Sequence, residues 1–66
     1  MTKNSLVEAS KAYITEKYGE IVANASEYSY SGDDSAVTSR ITNNHGKLIG
    51  YITTWIDNNN IQHHIH

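Results

Sequence analysis

At Gly19 this chain changes character, and that change limits its possible folds more than any other feature. Before it, apolar residues recur at helical spacing. Leu6, Val7, Tyr13, Ile14 and Tyr18 fall within one broad face at about 100° per residue, and Glu8, Lys11, Thr15 and Glu16 take much of the other side. Lys17 falls on the apolar face near the end, where its stem packs and its ammonium reaches water. After Gly19 the residues are mostly Tyr, Thr, Ser, Val and Ile, types that suit a pleated, half-buried surface. The reading is an α+β chain, helix first and strands after.

Ser5-Leu6-Val7-Glu8 has the form of a capping box, in which the Ser5 hydroxyl accepts from the Glu8 N–H and the Glu8 carboxylate reaches back. A helix is therefore predicted over about 4–18, with Gly19 as the residue just past its end. The alternative carries the helix on through Gly19, because Ile21 and Ala25 project onto the same face and Val7, Ile14 and Ile21 repeat at seven. Glycine inside a helix costs about 1 kcal/mol relative to alanine, which favours termination.

Four strand-like segments follow. Ser26-Glu27-Tyr28-Ser29-Tyr30 alternates polar and aromatic residues, and Gly32-Asp33-Asp34-Ser35 is a turn. Ala36 to Asn43 forms a second segment and Lys47 to Ile56 a third. Between them Asn43-Asn44-His45-Gly46 fits a type I turn with Gly46 in the left-handed bulge position. Asp57-Asn58-Asn59-Asn60 is a further turn, since Asn tolerates left-handed backbone, and Ile61 to Ile65 alternates as a short last strand. The expected architecture is one N-terminal amphipathic helix packed on a three- or four-stranded antiparallel meander, with residues 1–66 as a single domain. In topology this order is similar to small inhibitor modules such as PepSY-type domains.

Register decides which side chains share a face. A three-residue loop, Asn44 to Gly46, sets Asn43 opposite Lys47 and Ile41 opposite Ile49. One face then holds Val37, Ile41, Ile49, Tyr51 and Trp55, and the other holds Ala36, Thr38, Arg40, Thr42, Leu48, Ile52 and Ile56. A two-residue turn instead groups Val37 and Ile41 with Leu48, Ile52 and Ile56. In both registers the third strand is apolar on both sides, and one short helix covers one face.

Composition closes several functional classes. A chain of 66 residues builds one small core, and below roughly 70–80 residues such a core rarely supplies more than about 3–5 kcal/mol. With no cysteine, disulfides and thiolate metal sites are unavailable. The net charge of −2, with both signs spread along the chain, argues against phosphate-driven nucleic-acid binding and against a nucleic-acid mimic. The start Met1-Thr2-Lys3-Asn4-Ser5 carries no apolar signal-peptide core, and no run approaches the ~20 apolar residues of a membrane span. A cytoplasmic protein with no membrane contact is expected. Abundant Asn, Ile and Tyr, which have AT-rich codons, suit a low-GC bacterium or its phage.

No motif carries catalysis, and no catalytic residue, cofactor or metal is assigned. His63, His64 and His66 crowd the C-terminus, and on a strand His64 and His66 share a face, but zinc needs further ligands and none stands at a recognisable offset. Asp33-Asp34 beside Gly32 lacks the alternating oxygen ligands of a calcium loop. No G-x-S-x-G elbow occurs, and Gly46-Lys47 has no upstream glycine at phosphate-loop spacing.

The aromatic residues are the most informative group. Tyr28, Tyr30, Tyr51 and Trp55 lie in predicted strands with Arg40 and Lys47 nearby. That composition suits core packing under the helix, a protein interface, or a surface that stacks bases. The partner-binding residues chosen are Tyr28, Tyr30, Arg40, Ile49, Tyr51 and Trp55. The expected function is a small non-enzymatic protein-binding module, a regulator or inhibitor in the manner of phage proteins that act on a host or defence protein, which self-associates as a homodimer. The alternatives are a single-stranded nucleic-acid-binding module and a small-ligand binder whose pocket forms between subunits.

Overall fold

The computed structural model describes residues 3–66, with side chains from Ser5 onward. Met1 and Thr2 of the stretch read for a signal peptide lie outside the described residues. Helix α1 (Lys3–Tyr18) and a short α2 (Glu20–Ala25) precede strands β1 (Glu27–Tyr30), β2 (Ala36–Thr42), β3 (Leu48–Asp57) and β4 (Asn60–Ile65). The strands form one antiparallel sheet in the order β1-β2-β3-β4, with the helices on one side. The α+β class and the meander are as expected.

The helix start differs from the capping-box reading. Ser5 is the third residue of α1, so it lies inside the first turn and Glu8 stands beyond the N3 position. Lys3 and Asn4 do not forbid helical backbone, and the helix runs back through both. At Gly19 both readings of the helix end hold in part. The Gly19 N–H closes α1 on the Thr15 carbonyl (2.9 Å), and the backbone then breaks at φ 101°, ψ 161°. Helical geometry resumes at once, with the Ala23 N–H donating to the Gly19 carbonyl (3.1 Å). The break redirects the chain, so Ala23 is buried while Ile21, expected on the apolar face, is 67% exposed.

The core is small and mixed. Leu6, Ser10 and Ile14 are buried along one stripe of α1, at successive i, i+4 positions. On the sheet, Val37, Ser39 and Ile41 of β2 and Ile52 and Thr54 of β3 are all withdrawn from water, and Ile14 clusters with Ile41, Ile52 and Ala23. The Ser10 hydroxyl donates to the Leu6 carbonyl (2.8 Å), which satisfies it without leaving the helix. Ser26 ties the layers together: its hydroxyl donates to the Val22 carbonyl (2.7 Å) and accepts from the Thr42 N–H (3.1 Å).

The β2–β3 hairpin contains the main correction to the register. The loop itself is as predicted. The Asn43 N–H donates to the Lys47 carbonyl (2.9 Å), the Gly46 N–H donates to the Asn43 carbonyl (3.0 Å), and Gly46 has φ 78°. The Asn43 side chain also accepts from the His45 and Lys47 N–H groups at 2.9 and 3.0 Å. One step further along, the ladder slips. Thr42 faces Leu48 but Ile41 faces Gly50, which leaves Ile49 as an extra bulge residue. Val37 and Ile41 therefore share the helix side with Ile52, and Tyr51 and Trp55 go to the other side, not to the Val37 face as the unbulged ladder requires. The bulge lets the loop keep its left-handed glycine while Val37, Ile41 and Ile52, not the indole, take the helix side.

The β3–β4 turn is tighter. Asp57 pairs with Asn60, and Asn58 and Asn59 between them have φ 51° and 66°. Two consecutive positive φ angles are what a two-residue hairpin turn needs, and Asn tolerates them better than other non-glycine residues.

Candidate interaction face

Residues opposite each other in an antiparallel pair project to the same side. The outer side of the sheet, away from the helices, is thus built as cross-strand rows. Glu27 lies opposite Arg40, and Arg40 opposite Tyr51. Ser29, Thr38, Thr53 and His64 make a second row, and Ala36, Trp55 and Gln62 a third. Along β3 this face reads Tyr51, Thr53, Trp55, with Tyr51 40% exposed and Trp55 half-buried. Arg40 is exposed, and its Nη1 donates at long range to Thr42 Oγ1 (3.5 Å). His66 continues β4 by donating its N–H to the Tyr51 carbonyl (2.9 Å). Its Nε2 lies 2.7 Å from Thr53 Oγ1, and its ring meets His64 edge-on with centroids 4.8 Å apart.

Of the six residues chosen from the sequence, this face brings together Arg40, Tyr51 and Trp55. Ile49 is the bulge residue at the loop end of β3, 44% exposed. Tyr28 and Tyr30 point to the opposite side, because they pair with Ser39 and Val37 of the inner face. The Tyr28 ring packs against the core, its hydroxyl donates to the Ala23 carbonyl (2.7 Å), and burial pushes its phenol pKa up. Tyr28 thus holds α2 to the sheet. Thr38, Thr53, Gln62 and His64 belong to the outer face and were not chosen; alternation counted back from the Asn58-Asn59 turn identifies the β3 and β4 members.

The third histidine lies on the other side. His63 is opposite Thr54 on the inner face, with its Nδ1 2.8 Å from the buried Thr54 Oγ1. Its ring stacks on Tyr13 of α1 at 4.0 Å between centroids and 14° between planes. Burial lowers its pKa. Tyr13 also lines, with Glu16 and Lys17, a shallow open pocket of about 250 Å³. All three residues that line it belong to α1.

Asp33 serves its own turn. Its Oδ1 accepts from the Ser31 hydroxyl (2.8 Å), the Ser35 hydroxyl (2.7 Å) and the Ser35 N–H (3.1 Å), which lowers its pKa to about 2. Among the described residues no group of three or more His, Cys, Asp or Glu side chains is placed to hold a metal ion. No helix among them is long and apolar enough to cross a membrane. No known protein family, curated protein or solved structure matches this chain.

Proposed function

We propose that this chain is a small non-enzymatic binding module, a regulator or inhibitor, that presents the outer face of its sheet to a protein partner and self-associates as a homodimer. The observation that carries the reading is the one-sided cover of the sheet. The helices occupy the inner side, while Arg40, Tyr51 and Trp55 stand together on the other. Arg, Tyr and Trp are the residue types that dominate binding energy at protein interfaces. The threonines between them supply a flat β-branched surface with hydroxyls for polar contacts. The cytosol of a low-GC bacterium, or its phage during infection, is the setting that the composition favours.

Single-stranded nucleic acid is the weaker occupant. Arg40 is the one Lys or Arg in the cross-strand rows, and Glu27 stands opposite it. Backbone-tracking grooves need more positive charge than that.

The test is capture of a stoichiometric partner from bacterial lysate on the immobilised chain, repeated with Trp55→Glu and Arg40→Glu after circular dichroism has shown both variants folded. Retention by the parent chain and loss by both variants supports the reading. A partner held equally by both variants rejects the outer face. Binding that collapses between low and physiological salt points to phosphate contacts instead.

A further inference from the structure

The sheet has two edges, and they are not equivalent. β1 is four residues long and begins with Glu27. β4 is six residues long, Asn-Ile-Gln-His-His-Ile, with no Lys, Arg, Asp, Glu, Pro or bulge to discourage another strand. Its hydrogen-bonding pattern fixes which groups point outward. Because the His66 N–H donates to the Tyr51 carbonyl, and such pairs alternate along an antiparallel ladder, Asn60, Gln62 and His64 also address β3. The N–H and C=O groups of Ile61, His63 and Ile65 are turned to the open edge.

We infer that this edge pairs with β4 of a second copy, antiparallel about a twofold axis at His63. The inference rests on the homodimer reading and names the surface that forms it. The argument is self-complementarity. A twofold axis at His63 sets Ile61 against the second copy's Ile65, and His63 against the second copy's His63. The three residues whose backbone groups point outward are thus the three that meet.

The side chains agree with the backbone. Ile61, His63 and Ile65 project to the inner, helix-bearing side, where Ile52 stands opposite Ile65 and Ile56 opposite Ile61. Pairing joins these short rows end to end, so that Ile52, Ile65 and the second copy's Ile61 and Ile56 form one continuous isoleucine row. Its symmetry mate forms another. Ile65, now 47% exposed, lies inside those rows, and Ile56, 37% exposed, ends them. A heterologous strand carries no such symmetry requirement, and the palindromic spacing of Ile61, His63 and Ile65 is what favours a second copy of this chain. The two four-stranded sheets become one of eight strands, with both outer faces on the same side.

The experiment is sedimentation equilibrium up to hundreds of micromolar, because an edge pair of this length is a small interface. It is combined with amide hydrogen exchange. The expected result is a species of twice the chain mass in which the Ile61, His63 and Ile65 amides are protected, although they lie at the edge of the single chain. Ile65→Lys places a charge on that edge and is expected to weaken the dimer by about tenfold or more. If Ile65→Lys fails to fold, a synthetic chain N-methylated at the Ile65 amide removes the outward donor and keeps the side chain, and it is expected to be monomeric. A monomer at every concentration overturns both the edge pairing and the homodimer reading. A dimer whose three amides exchange freely, or one indifferent to N-methylation, overturns the edge pairing alone.

Discussion

The inner face of the sheet carries Val37, Ser39, Ile41, Ile52 and Thr54, all withdrawn from water, whereas the outer face carries Thr38, Arg40, Tyr51, Thr53 and Trp55, none of them fully buried. The two faces are not separated by hydrophobicity. Each has hydroxyl groups, and the larger apolar side chains, Tyr51 and Trp55, lie on the outer one. They differ in shape. The five inner residues of β2 and β3 are short or branched, and on α1 Leu6, Ser10 and Ile14 are buried with them. On the outer face, threonines alternate with the longer Arg40, Tyr51 and Trp55. The inner face is the one the helix covers, and Tyr51 and Trp55 stay partly exposed on the other.

Neighbouring residues on opposite faces test this contrast most strongly. Ile52→Ala is expected to cost about 2–5 kcal/mol, a loss comparable to the roughly 3–5 kcal/mol that a core of this size supplies, read as a lower urea midpoint by far-ultraviolet circular dichroism. Tyr51→Thr, one residue away, is expected to change the stability by no more than about 0.5 kcal/mol in the same urea titration. Equal losses at both positions would erase the distinction between the faces.

Gly19 decides where the inner layer turns. Nothing lies within 4 Å of a Cβ built there, so a side chain meets no clash and the cost of Gly19→Ala is backbone strain at φ 101°. A loss of about 1–3 kcal/mol is expected, and a D-alanine at the same position in a synthetic chain should be tolerated. If both alanines are harmless, the α1–α2 break is not fixed by this residue.

Ser39 is the weak point of the inner face. It is fully buried, and among the described residues its Oγ has no hydrogen-bond partner. Ser39→Ala is therefore expected to stabilise the fold by about 1 kcal/mol, since an unpaired buried hydroxyl keeps its desolvation cost. A lower urea midpoint in the variant would show that the hydroxyl is paired.

The smallest effect separates the histidines. His63 is held against Tyr13 and Thr54, and its folded pKa is lowered by burial, so the unfolded chain binds its proton more readily. The stability this adds is complete above the unfolded value of about 6.5 and is lost as pH falls from there through the lowered folded value. Melting temperatures across that window are expected to fall with acidity in the parent chain and to fall less in His63→Gln. An identical slope in both would remove His63 from the account.

Much of the fold was legible because it is written in local chemistry. Gly19 ends a helix, Gly46 supplies a positive φ, and the Asn58-Asn59 pair makes a two-residue turn; each is a property of the residue itself. What escaped depends on residues distant in sequence. Ser5 has a good cap side chain, but the helix runs past it. Tyr28 looks like an interface aromatic, but its hydroxyl reaches the Ala23 carbonyl across the α2–β1 junction. The outer face was half legible for the same reason. Arg40, Tyr51 and Trp55 were chosen by type, but which face they occupied turned on one bulge.

That bulge has a consequence for the chain's history. Ile49 is the residue the ladder does not count: Thr42 pairs with Leu48 before it, and Ile41 with Gly50 after it. Losing this position closes the gap and leaves every other pair in place, whereas losing a residue at 51 to 54 turns the strand over and puts its exposed side chains into the core. Descendants and relatives of this chain are thus free to differ in length by one residue here. Position 49 is where an alignment of them should open its gap.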